Sequence, residues 1–356
     1  MKKNNVYVHI MKQNMAIPFC HAIKDRKISE SIILEVQING FSGYGECAPR
    51  EYVTGESILS VKKELELWSE RRFKSVSDNI IKSDSIMEFI DNEINYCNEF
   101  GNNTRCAIEL ALIDWSEKYK NISLLPTPLI NSRPFVPVID SVGRCSVATE
   151  ILKKSRFIKL KNTQDIKDIC LRITQLRNNT NATILIDINN SLPQHEIEQY
   201  VLNCLNAGAE WFEEPCLLRD YQFLNKLRSY DAKILLDESV QSIEDLVIAL
   251  ENKAIDGVNI RISKCGGFNN SWRLAQFAKK HMLKRYYGVQ VAEIGSLISA
   301  GRILSLSDKY SLGVEAGQSD VFFNSDKLWI TDPAVIREQG IITRTLYDKL
   351  NGRRPK

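Results

Sequence analysis

Between residues 32 and 38 the chain alternates strictly, with Ile32, Leu34, Val36 and Ile38 on one face of a strand. Asn39-Gly40 follows at once, a strong hairpin signal, so a second strand is expected around Gly43-Tyr44-Gly45-Glu46-Cys47. The period then becomes helical near 56–69, 84–98 and 103–119. In the last of these, Ala107 and Ala111 are small enough to let a neighbouring element pack closely. The chain from 1 to 130 therefore reads as α+β.

Around residue 130 the pattern changes. From Pro134 to about Gly317, short apolar runs alternate with helical stretches, which predicts βα units on a parallel sheet. The runs share an ending. Phe157-Ile158-Lys159-Leu160-Lys161 closes on lysine, Thr183–Asp187 and Ile234–Asp237 on aspartate, Trp211–Glu213 on glutamate, and Val258-Asn259-Ile260-Arg261 on arginine. These charges, Lys161, Asp187, Glu213, Asp237 and Arg261, are almost evenly spaced, and each interval is the length of one strand, one helix and two loops. Residues 131–318 have room for seven or eight such modules, hence a barrel somewhat smaller than the usual ~250 residues. The C-terminal strand ends of such a barrel meet at one site. A charge that merely opened a solvated loop would have no reason to recur at the same place in each module.

Composition narrows the function. At 356 residues the chain suits two or three domains, or one large barrel with an accessory lobe. A net charge of +3, from 47 Lys+Arg against 44 Asp+Glu, gives no electrostatic reason to expect nucleic acid or an anionic membrane as partner. No run reaches the ~18 apolar residues of a membrane span. Met1-Lys2-Lys3-Asn4-Asn5 is basic but leads into no apolar core of a signal peptide, so a cytoplasmic location is expected. The nine cysteines include no CxxC, and reduced, mostly buried thiols are expected. Four histidines, with no HExxH, leave zinc-peptidase chemistry unsupported, and G-x-G-x-x-G, P-loop and G-x-S-x-G motifs are absent.

Asp187, Glu213 and Asp237 on consecutive strands would repel one another without a cation between them. Oxygen ligands with neither His nor Cys favour Mg²⁺, with Mn²⁺ as a substitute. A metal flanked by an amine suits removal of a proton next to a substrate carboxylate: the cation takes up charge as an enediolate forms and the amine takes the proton. Lys159 and Lys161, two positions apart, share a side of their strand. Two ammonium groups so placed repel each other, one route to a neutral lysine base near pH 7.

With these residues in view, the chain resembles the enolase superfamily, in particular the muconate-lactonizing subgroup that includes muconate cycloisomerases, o-succinylbenzoate synthases and dipeptide epimerases. Gly43–Pro49 is similar to the capping-domain motif and Ala107–Trp115 to the helix leading into the barrel. Lys159-Leu160-Lys161 is similar to the K-x-K motif, and Asp187-Ile188-Asn189, Glu213-Glu214-Pro215 and Asp237-Glu238-Ser239 to the three metal motifs. Asn259–Gly267 corresponds to the segment with the second active-site lysine. The resemblance implies a modified (β/α)7β TIM-like barrel over residues 131–318, with an α+β capping domain from residues 1–130 completed by 319–356. It implies an Mg²⁺-dependent isomerase or lyase acting on a small-molecule carboxylate, with a homo-oligomeric assembly. Lys161 would be the base and Lys159 its helper. Asp187, Glu213 and Asp237 would be the metal ligands, with Asn189, Glu214 and Glu238 supporting them. Glu293, read as the end of a seventh strand Tyr287–Glu293, would orient Arg261 or a substrate group. Substrate choice would rest with capping loops that hold His21, Arg50 and Tyr52.

Arg261 is the main departure, because epimerases and cycloisomerases of the subgroup have lysine there. Lys264, expected in the following loop, does not restore the pattern. Arginine stays protonated, so it is a poor base and a good clamp. One-base chemistry, cycloisomerization or syn dehydration, is the expected outcome. The alternative is epimerization or racemization of a dipeptide or N-acyl amino acid. A non-catalytic binding barrel is a weaker reading, since neither a metal carboxylate nor the K-x-K lysine pair is lost. A phosphate-binding barrel enzyme would rest on Gly266-Gly267 alone, which close packing explains equally well.

Overall fold

The computed structural model describes residues 4–19, 26–143, 145, 149–163, 165–291, 293–318, 322–323, 335–338 and 341–344. The chain opens with an antiparallel sheet, β1 (Asn5–Phe19), β2 (Arg26–Ile38) and β3 (Phe41–Cys47), in that order. Asn39 and Gly40 both have positive φ, 50° and 84°, as the tight turn between β2 and β3 requires. Ile32, Leu34, Val36 and Ile38 are all fully buried. Five helices follow: α1 (Glu51–Thr54), α2 (Ile58–Arg71), α3 (Phe73–Ile80), α4 (Ile86–Tyr96) and α5 (Asn102–Lys120). β3 lies directly on α5. A Cβ on Gly45 would come within 2.0 Å of the Ala107 carbonyl oxygen, and one on Gly43 within 2.3 Å of that of Ala111. Small residues on both partners make this approach possible.

After a short strand β4 (Ser132–Pro134), strands and helices alternate as expected: β5 (Val138–Ile139), α6 (Thr149–Lys154), β6 (Phe157–Lys161), α7 (Ile166–Arg177), β7 (Thr183–Asp187), α8 (Gln194–Ala207), β8 (Trp211–Glu213) and α9 (Tyr221–Arg228). The alternation continues through β9 (Lys233–Leu236), α10 (Ile243–Glu251), β10 (Gly257–Ile260), α11 (Phe268–Lys280), β11 (Lys284–Tyr287), α12 (Ser296–Leu306) and β12 (Gly313–Val314). β5 to β12 form one parallel eight-stranded sheet in sequence order. Its two ends approach each other where Val136 N donates to Val314 O at 2.9 Å. Of the segment 319–356, most of which lies outside the described residues, β13 (Val335–Glu338) and β14 (Ile341–Arg344) pair with each other, and β14 pairs with β4.

Strand parity sets the inside of the barrel. Val136, Phe157, Leu185, Trp211, Leu235 and Tyr286 form one apolar cluster that plugs it. Two positions after Phe157, Leu185, Trp211 and Leu235 stand Lys159, Asp187, Glu213 and Asp237, all buried. The period of two that buries the plug thus raises a ring of charge above it. The expected strand Tyr287–Glu293 is corrected: β11 stops at Tyr287, and Glu293 lies in the loop before α12. Gly288 takes the strand-end place, where a Cβ would stand 2.2 Å from Asn259 Oδ1.

Two carboxylates, one on β3 and one on α5, grip helix N-termini of the barrel, where backbone N–H groups lack partners and the helix dipole favours negative charge. Glu46 accepts from Ile294 N and Gly295 N, both at 2.7 Å, and from Leu297 N at 3.2 Å, at the start of α12. Glu109 accepts from Phe268 N and Asn269 N at the start of α11. Among the described residues no helix is long and apolar enough to cross a membrane, and the described cysteines are free thiols.

Burial pushes the Glu109 carboxyl up to about 7, only partly offset by its two backbone N–H donors. A carboxyl raised above its unfolded value near 4.3 binds more protons folded than unfolded, so its contribution to stability falls as pH rises from about 4.5 to 7. In urea titrations, Glu109→Gln should reduce the loss of stability between pH 5.5 and pH 8 by about 1–2 kcal/mol. An unchanged pH dependence would show that Glu109 titrates normally.

Candidate active site

Lys161, Asp187 and Glu213 lie side by side in register on β6, β7 and β8, and Asp237 follows β9 directly. All four are buried, and Asp187, Glu213 and Asp237 have no exposure at all. Basic side chains meet this negative charge from both sides. Lys159 Nζ is 2.8 Å from Asp187 Oδ2, 2.8 Å from Glu213 Oε2 and 3.0 Å from Glu315 Oε1. Lys161 Nζ pairs with Asp187 Oδ2 and donates to Asn189 Oδ1 at 3.2 Å. Arg261, just past β10, places Nη2 on Asp237 Oδ2, 3.5 Å from Glu238 Oε1 and 3.9 Å from Glu213 Oε1. Asn259 Nδ2 donates to Glu213 Oε1 at 2.7 Å.

The carboxylates after the strands brace the ring. Glu214, held at a positive φ of 41°, accepts from Asp237 N at 2.8 Å, Ser239 N at 3.2 Å and the Ser239 hydroxyl. Burial raises Glu214 to about 7. Burial, with Glu214 nearby, takes Glu238 to about 8. For Asp187 burial acts upward, but Lys159 and Lys161 outweigh it and hold the carboxyl far below the usual range. Lys159 moves opposite to the expectation from its lysine neighbour. Burial disfavours its charge, yet Asp187, Glu213 and Glu315 together keep it firmly cationic.

One residue of this layer, Glu315, was missed from sequence, and another, Lys264, was set aside. Glu315 directly follows the short strand β12, accepts from Lys159 and takes the Tyr286 hydroxyl at 2.7 Å. It stands two modules beyond Arg261, so the spacing rule already pointed to it. Lys264 is in a turn, but it folds back rather than out. It is fully buried and donates to Asp237 O at 2.5 Å, Asp237 Oδ1 at 2.9 Å and Asn259 O at 2.8 Å. Burial lowers it to about 8.

The other candidates separate. A small pocket is lined by Lys159, Lys161, Asn259, Arg261 and Glu315, with Gly288, Val289, Val291 and Tyr52 on its other walls. Arg50 is buried, with its guanidinium on the carbonyls of Glu30, Pro49 and Val291. Glu293 accepts from Gln290 N at 2.9 Å, and Gln290 in turn accepts from Arg261, so Gln290 links Glu293 to Arg261. Burial, next to Glu46, lifts Glu293 well above the ordinary carboxylate range. His21 lies outside the described residues.

The donor set fits a hard divalent cation. Among the described residues, Asp187 Oδ1 is buried without a hydrogen-bond partner, and Glu213 Oε2 and Asp237 Oδ2 meet cations only as ion pairs. Unsatisfied carboxylate oxygens on adjacent strand ends, without His or Cys, are the donor type that suits a hard cation such as Mg²⁺. As the side chains stand, no three acidic, His or Cys groups among the described residues form a ready cation site. Their charge is met by Lys159, Lys161, Arg261 and Lys264 instead.

The chain is similar to known proteins along most of its length. The chain is 26% identical over 330 residues to the N-succinyl-L-Arg/Lys racemase of Bacillus cereus, covering 88% of this chain and 87% of that protein. The solved structure of a dipeptide epimerase from Cytophaga hutchinsonii, complexed with Mg and the dipeptide D-Ala-L-Val, superposes with a TM-score of 0.75 at 18% identity, over 98% of this chain and 97% of that one. The muconate lactonizing enzyme of Pseudomonas fluorescens, complexed with muconolactone, gives 0.74 at 17% identity, over 95% and 93%. Residues 146–339, more than half of the chain, match the family described as enolase C-terminal domain-like, and the chain is an enzyme belonging to that family.

Proposed function

We propose that this enzyme removes the proton α to the carboxylate of a small-molecule substrate, with Lys161 as the base. The observation that carries the reading is the ion pairing, at neighbouring strand ends, of three buried and incompletely bonded carboxylates with Lys159, Lys161 and Arg261, the cations that line the pocket. Asp187, Glu213 and Asp237 would hold Mg²⁺, for which Mn²⁺ could substitute, in a barrel of residues 131–318 capped by 1–130 and 319–356. When bound, the cation supplies charge neutralisation at the substrate carboxylate oxygens as electron density moves onto them. Lys161 takes the α-proton at Nζ once neutral, steadied by Asn189. Lys159, fixed as a cation by its carboxylates, contributes a permanent positive charge next to the base. Glu214 holds the backbone of Asp237 and Ser239, and Glu238 stands beside Arg261.

Arg261 decides the outcome. Its guanidinium faces the pocket from β10, across from β6, and cannot serve as a base near neutrality. Proton transfer therefore runs on the Lys161 face, which suits cycloisomerization or syn dehydration. The second reading is racemization or epimerization of an N-acyl amino acid or dipeptide, favoured by the similarity to the racemase over 88% of the chain.

Removal of the cation with EDTA should abolish α-proton exchange in D₂O across a panel of dipeptides, N-acyl amino acids and β-hydroxy acids. Asp187→Asn, Glu213→Gln and Asp237→Asn should each be inactive yet folded, and full activity of the stripped enzyme would refute the cation assignment. Lys161→Ala should stop exchange entirely, whereas Lys159→Ala should chiefly weaken binding and move the activity profile to higher pH. The reverse pattern would make Lys159 the base. With wild type, deuterium should enter one enantiomer without growth of its mirror image, and Arg261→Met should slow exchange about 10²-fold or more, as loss of an oxyanion donor does. Rapid, symmetric labelling of both enantiomers would establish the second reading.

A further inference from the structure

Each of the three strand-end carboxylates has one oxygen hydrogen-bonded and one not. Asp187 Oδ2 takes Lys161, and Asp237 Oδ1 takes Lys264 Nζ at 2.9 Å. Asp187 Oδ1 has no hydrogen-bond partner among the described residues, and Asp237 Oδ2 meets Arg261 only as an ion pair. Glu213 follows the same rule with a different donor. Its Oε1 accepts from Asn259 Nδ2 at 2.7 Å, while its Oε2 meets Lys159 Nζ only as an ion pair at 2.8 Å. A neutral amide holds a carboxylate in place without cancelling its charge.

Asn259 is itself wedged. It lies on β10, is 1% exposed, and lines the pocket together with Gly288. A carboxylate only accepts, so the amide orientation is fixed: nitrogen toward Glu213, Oδ1 away from it. That oxygen has no partner among the described residues and lies against Gly288. A Cβ on residue 288 would stand 2.2 Å from Asn259 Oδ1, 2.8 Å from Nδ2 and 2.9 Å from Cγ. The whole amide would have to shift, and Nδ2 cannot shift without releasing Glu213. Residue 288 must therefore lack a side chain for the amide to stay where it is. The unpaired oxygen carries a cost, and the bond to Glu213 is what offsets it.

We propose that Asn259, seated by Gly288, is the positioning residue of Glu213: it ties Oε1 and thereby presents Oε2 to the cation. This rests on the reading that Asp187, Glu213 and Asp237 hold that cation. Without the amide, the Glu213 carboxylate turns about its last bond, and its ordering has to be supplied when the cation binds. Hydrogen bonds that orient a metal-binding side chain contribute about 10–100-fold in cation affinity.

The test is Mn²⁺ titrated onto the full, EDTA-stripped chain, read by calorimetry and by the electron paramagnetic resonance spectrum of the bound ion. Asn259→Leu, similar in size but without a donor, should raise the Mn²⁺ Kd about tenfold or more and change the spectrum. Gly288→Ala should do the same with Asn259 itself unaltered. Combining Gly288→Ala with Asn259→Ala should cost no more affinity than Asn259→Ala alone, because the methyl group then has room. Circular dichroism and melting temperature of the cation-free proteins check the fold, and the two single variants keep the test open if one fails. A wild-type Kd and spectrum in both Asn259→Leu and Gly288→Ala would overturn the proposal. Losses that simply add in the double variant would also overturn it, making the two changes independent disturbances of the pocket. Failure of the parent reading looks different: Glu213→Gln would then bind Mn²⁺ as tightly as wild type, and both readings would fall.

Discussion

Charge compensation in a dry place governs this molecule. Asp187, Glu213 and Asp237 are stripped of water at neighbouring strand ends, where unpaired carboxylates are strongly disfavoured. Lys159, Lys161, Arg261 and Lys264 supply the opposite charge, and Glu315 balances the excess at Lys159. No member can be removed without exposing the charge of another. The layer therefore behaves as one electrostatic unit, and the barrel beneath it is the frame that keeps its members in register.

That frame is completed from outside. The plug of Phe157, Leu185, Trp211 and Leu235 sets the height of the charged layer by strand parity. The β3–α5 contact at Gly43 and Gly45 brings Glu46 and Glu109 to the first turns of α12 and α11. These helices follow the strands and loops that carry Gln290 and Arg261. A carboxylate at a helix start is favourable in itself, and here it also ties the antiparallel sheet and its helices to the rim of the pocket. Arg50, one of the substrate-loop candidates, rests its guanidinium on three backbone carbonyls of the same junction.

Much of this was legible in the sequence because period and spacing are geometric. Alternation in Ile32–Ile38 and the near-constant interval between strand-end charges follow from pleat and barrel construction. The failures have physical causes too. β1 is an edge strand whose Tyr7 and Ile10 remain exposed, so its pairing is set by β2 more than by its own pattern. β12, only Gly313 and Val314, is too short to register as an apolar run, and Glu315 was lost with it. Val289 and Val291 read as strand alternation but line a pocket, which displaced Glu293 from a strand end to a loop. Lys264 belongs to a turn that doubles back, a path sequence spacing does not encode.

The most direct test of the account is an anomalous difference map from crystals grown with Mn²⁺. The account predicts one strong peak bounded by carboxylate oxygens of Asp187, Glu213 and Asp237, with the Arg261 guanidinium moved off Asp237 toward Gln290. A map without a peak at these carboxylates, with Arg261 still paired to Asp237, would contradict it and leave the charged layer a purely structural network.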